Sequence, residues 1–158
     1  MPLYHLNRLS GEPEVCEAML SCPHGDLEED HFETVEEAAH PEGISPELVT
    51  TLAIQRGVAA ASSTLQEWEQ IGPNSSLRVS EVRQQLALLS YQLGVAAGGG
   101  SGAAEAWLRA RNFAVAASQK LKDFAEFLPL EQRPTALTLA DELWTMAQAC
   151  EKQAKARA

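Results

Sequence analysis

The sequence predicts an all-α protein, an antiparallel four-helix bundle preceded by an acidic, loop-rich segment that carries cysteine and histidine. Three observations predict it. Apolar residues recur at steps of three and four through four long stretches after position 45. Glycine and proline punctuate the gaps between those stretches. Charge divides the chain: residues 1–47 hold twelve acids against one base, Arg8, whereas residues 48–158 hold ten acids and eleven bases. The expected organisation is an acidic Cys/His segment over 1–43 and a bundle over 44–158. A chain of 158 residues that is 45% hydrophobic suits one core of ordinary size.

Taken in order, the first helix opens with Ser45 as N-cap and Pro46 as first helical residue, where the missing N–H of proline costs nothing. Leu48, Leu52, Val58, Leu65, Trp68 and Ile71 mark one face until Gly72-Pro73-Asn74 stops it. The second run, Val79, Val82, Leu86, Leu89, Leu93 and Ala96, is the seam of a helix packed nearly parallel to its neighbours. It ends at the glycine-rich Gly98–Gly102. That loop has no preceding strand and lacks the lysine and hydroxyl of a phosphate loop, so it reads as a connector. The third run, Ala103, Ala106, Ala110, Phe113, Ala117, Leu121, Phe124 and Leu128, halts at Pro129. The fourth starts near Pro134 and carries Leu137, Ala140, Leu143, Trp144, Ala147, Cys150 and Ala154. Four such stripes joined by short loops bury themselves against one another, which makes a bundle. Lys152, Lys155 and Arg157 close the last helix where cations favour the macrodipole. The tryptophans and phenylalanines fall on or beside the stripes and belong to the core, with one indole left for a partner-binding edge.

The bundle is poor in reactive groups. Residues 41–158 contain no histidine, and their one cysteine, Cys150, lies on an apolar stripe where a thiol is inert. The Glu-x-x-His pairs of a diiron bundle are absent, and consecutive Asp141 and Glu142 diverge on a helix. Unusual chemistry gathers instead in CEAMLSCPHGDLEEDHF, where Cys16, Cys22, His24 and His31 offer four zinc-compatible ligands. The five residues between the two cysteines exceed the two-to-four of common zinc knuckles. Three readings follow: structural zinc, a metal-free arm docked on the bundle, or a redox pair of Cys16 and Cys22. In the metal-free arm, Thr34 and Glu37 form a capping box and Pro23-His24-Gly25 a turn.

Part of this segment carries a resemblance. Leu6-Asn7, Cys16, Ala18, Cys22-Pro23, Gly25, His31-Phe32, Thr34 and Glu37-Ala38 together resemble a short N-terminal module found ahead of otherwise unrelated domains in proteins of actinobacteria and their phages. The acidic spacer DLEED and the step His40-Pro41-Glu42 depart from that pattern, and the bundle is not covered by it. The resemblance implies a phage or actinobacterial origin, a modular layout, and Cys16, Cys22 and His31 as the residues to carry over. It supplies no activity.

Neither an export signal nor an apolar run of about eighteen residues is visible, so the expected compartment is the cytoplasm of the bacterial host, with reduced thiols. The acidic segment disfavours direct binding to nucleic acid or to a membrane surface. The expected function is a non-enzymatic, phage-encoded accessory protein that binds a host or virion protein through the bundle surface or the acidic arm, in one variant by imitating nucleic acid. One alternative is a virion or assembly component that forms homo-oligomers through the bundle. Another is a metal-dependent hydrolase or nuclease with Glu28 or Glu33 as base, which requires open coordination.

Overall fold

A computed structural model describes residues 3–16, 31, 46–69 and 73–157, with 46–49 and 73–76 described by backbone alone. Two short strands, β1 (Tyr4–Leu6) and β2 (Pro13–Val15), precede four helices: α1 (Pro46–Trp68), α2 (Pro73–Ala97), α3 (Ala103–Ala125) and α4 (Arg133–Arg157). The all-α bundle expected from the sequence is present. Each helix packs on its neighbours in the chain, α1 on α2, α2 on α3 and α3 on α4, as short antiparallel connections require.

Helix boundaries follow local chemistry. Pro73, expected to stop the first helix, opens the second, because proline is tolerated in a first turn whose N–H groups have no intrahelical acceptor. At the far end of α2, Gly98 and Gly99 donate their N–H groups to Val95 and Ala96 carbonyls and tighten the last turn. Between α3 and α4, the Arg133 guanidinium donates to the carbonyls of Leu128 and Glu126 and ties the turn to the helix it opens.

The core is continuous along all four helices, and all six residues of the α2 seam are buried. Alanines on α3 (Ala106, Ala110, Ala114, Ala117) face a partner equally rich in alanine on α4 (Ala136, Ala140, Ala147, Ala154), which lets these two backbones approach closely. Three stripe residues are corrected. Leu52, Leu137 and Trp144 are exposed, and the core instead takes Ile54 on α1 and Ala136, Leu139 and Met146 on α4. Leu137 and Trp144 are seven apart, so they share one line along the helix, turned away from the line through Ala136, Leu143 and Cys150. Phe113 is half-buried, and Leu48 and Ile71 lie outside the described side chains.

The amino-terminal segment adds two short strands to the loop-rich reading. There β1 and β2 form an antiparallel hairpin with His5 opposite Glu14 and Leu6 opposite Pro13. Asn7 N–H donates to Glu12 O, and Cys16 N–H to Leu3 O. Pro13 therefore falls at the alternate, non-bonded position of the ladder, where its missing N–H is not needed. The hairpin is seated between α1 and α4. At Gly57 of α1 an ideal Cβ would stand 2.5 Å from the Arg8 carbonyl oxygen and 2.8 Å from Met146 Cε of α4. Gly11, at φ +72°, packs on Thr50 so closely that a Cβ would meet Thr50 Cγ2 at 2.6 Å. Leu9 packs on the core, and Glu12 pairs with Lys152 near the end of α4. Among the described residues no helix is long and apolar enough to cross a membrane.

Candidate metal centre

Strand alternation builds the centre. Successive side chains of a strand point to opposite faces, and directly opposed residues share a face. The register therefore puts His5, Asn7, Glu14 and Cys16 on one face of the hairpin. His31 reaches the same place from a distant part of the chain. The donor atoms of His5, Cys16 and His31 all lie within 4.8 Å of one another. His5 is 3% exposed and His31 8%, with Cys16 half-buried.

Hydrogen bonds orient this set. His5 Nε2 lies 2.8 Å from Glu14 Oε1. An ionised carboxylate only accepts, so Nε2 donates to it and, in the neutral ring, Nδ1 presents a lone pair. That lone pair faces His31 Nε2 at 3.3 Å, with the two rings edge to face. Glu14 is held in turn by Asn7, whose Nδ2 donates to Oε1 and Oε2 at 3.1 Å each. Asn7 is fixed by its own turn, because its Oδ1 accepts the N–H groups of Leu9 at 2.7 Å and Ser10 at 3.2 Å.

The donors lie close enough to one another to hold a metal ion. Two nitrogens on a tetrahedral zinc stand about 3.3 Å apart and a nitrogen–sulfur pair about 3.6 Å, from bond lengths of ~2.05 and ~2.3 Å. The imidazole pair already has the first separation, and the cysteine sulfur lies within 4.8 Å of a nitrogen of each ring. One cysteine sulfur with two imidazoles is a softer donor set than the oxygen ligands that calcium and magnesium prefer. With no ion, the 3.3 Å separation suits an N–H···N hydrogen bond from His31 to His5.

Of the residues singled out in the sequence, Cys16 and His31 are brought together. Cys22 and His24 lie outside the described residues, as do Glu28, Glu33, Thr34 and Glu37. His5 and Glu14 were missed. The signal for them is the alternation in Leu3-Tyr4-His5-Leu6-Asn7 and Pro13-Glu14-Val15-Cys16, which sets polar or ligating groups two apart on one side of each three-residue strand. The cysteine of the bundle is unlike that of the hairpin. Burial on α4 pushes the Cys150 thiol up from its ordinary 9.0 to about 12, so it carries no thiolate near neutral pH.

No protein-family model matches the chain, and neither a curated protein nor a solved structure matches it.

Proposed function

We propose that this is a non-enzymatic binding protein whose amino-terminal segment is held in place by structural zinc. The observation that carries the reading is the enclosed donor set His5–Cys16–His31, with Glu14 committed to His5. Zinc would supply a fixed crosslink between the hairpin and the segment around His31. Cys22 or His24 would complete the tetrahedron, as a structural site needs four protein ligands. A hydrolytic centre needs an open position and a base near it. Among the described residues the one carboxylate of the cluster is Glu14, already bonded to His5 and Asn7.

The binding role draws support from α2. Leu77, Leu88, Tyr91 and Val95 are exposed, Tyr91 at 68%, and the last three follow helical steps of three and four on the side opposite the seam. Such a stripe suits an apolar helix or groove of a host or virion protein, in keeping with the phage or actinobacterial module that the first forty residues resemble. Self-assembly through the same stripe is the second reading.

Metal analysis of protein purified without added zinc tests the first half. One zinc per chain, lost in His5→Ala, supports it; a metal-free, folded chain refutes it. Affinity capture with full-length Tyr91→Glu tests the second half. A partner held by the wild type and released by the variant supports binding through α2, and equal retention refutes that surface. Light scattering separates the readings, because a strict monomer at high concentration excludes self-assembly.

A further inference from the structure

Resting on the zinc reading above, we infer that metal affinity is set by the seat of the hairpin on the bundle, transmitted through the Asn7 turn to Glu14 and from Glu14 to His5. Each link is a contact. The turn between β1 and β2 presses the Arg8 carbonyl against Gly57 of α1 beside Met146 of α4, and Gly11 against Thr50. The same turn holds Asn7 through the N–H groups of Leu9 and Ser10. Asn7 grips both oxygens of Glu14, and Glu14 accepts a hydrogen bond from His5 Nε2–H. Glu14 is thus a positioning residue: it touches no metal, but it decides which nitrogen of His5 carries the lone pair. A carboxylate behind a ligating histidine fixes its tautomer and raises its basicity. Filling the site and seating the turn are then one linked equilibrium, and linkage is reciprocal. A bound zinc holds the hairpin on α1 and α4, and whatever lifts the hairpin weakens zinc binding.

The surface ion pair of Glu12 with Lys152 is a minor part of the seat, because both side chains are largely solvated. Gly57 is the decisive position. Alanine within an exposed helix ordinarily favours the helix over glycine, but here its Cβ would be driven into backbone rather than a flexible side chain. Gly94 of α2 has open space around it and serves as the control for the helix effect alone.

The test is competition for zinc against a chromophoric chelator, using the full chain. Glu14→Ala is expected to bind zinc about 10–100-fold more weakly, with Glu14→Gln in between because its amide oxygen still accepts. In Glu14→Ala, nitrogen-15 spectra should show His5 populating both tautomers while the Cys16 amide keeps its exchange protection, which loss of the hairpin itself would not allow. Gly57→Ala is expected to weaken zinc binding about tenfold with helical signal retained, and Gly94→Ala to leave affinity unchanged. Wild-type affinity in both Glu14→Ala and Gly57→Ala overturns the inference while leaving the zinc reading standing. A wild-type chain that takes up no zinc removes the reading and the inference together.

Discussion

Cys16 and Cys150 share a side chain and differ in everything that surrounds it. Cys150 sits in the α4 seam among apolar neighbours, and burial alone raises its thiol to about 12. The sign of the consequence follows from linkage. Well below pH 9 the thiol is protonated whether the chain is folded or not and has no effect on stability. Between about 9 and 12 the unfolded chain loses a proton that the folded chain keeps, so stability falls as pH rises. The loss has an upper slope of ~1.4 kcal/mol per pH unit. Cys150→Ala should remove this part of the alkaline loss in denaturant titrations above pH 9. In native wild type, a thiol reagent should label Cys150 only at the rate of unfolding. Cys16 lies at the end of a strand beside two imidazoles. Spacing alone marked Cys16 and His31 as candidate ligands. It could not show His5, because that contact depends on a strand register that three-residue segments scarcely announce.

Helices were legible because each spends twenty or more residues repeating one period, which averages over local exceptions. On α2 the period is uninterrupted and every seam residue is buried. On α1 and α4 the apolar residues are too dense for the stripe to be unique, and Leu52, Leu137 and Trp144 mislead, being apolar but a fraction of a turn off the buried line. Mutational cost should follow burial rather than hydrophobicity. Leu89→Ala, at the fully buried centre of α2, is expected to cost about 2–5 kcal/mol. Leu137→Ala, half-exposed on α4, should stay within about 0.5 kcal/mol. Chemical denaturation of the two variants checks this, and equal losses would mean that α4 is rotated from the orientation described. The hairpin had no such redundancy. Its strands are three residues each, and its place between α1 and α4 shows in the sequence only as glycines at 11 and 57.

At the scale of the molecule, the hairpin is held on the bundle by shape rather than by charge. The described ion pair between the two, Glu12 with Lys152, is exposed and contributes at most about 1 kcal/mol. Leu9, Gly11 and the Arg8 backbone supply the fit, and the His5–Cys16–His31 set ties His31 to the face of the hairpin. The bundle has its own continuous core. Cobalt(II) substitution of the full chain tests this most directly, since cobalt in a zinc site reports both thiolate ligation and tetrahedral geometry by absorption. The expected result is one equivalent of cobalt with a sulfur charge-transfer band that disappears in Cys16→Ser and tetrahedral bands that weaken in His5→Ala, with helical signal preserved throughout. A spectrum indifferent to His5→Ala, or no cobalt bound at all, would contradict it.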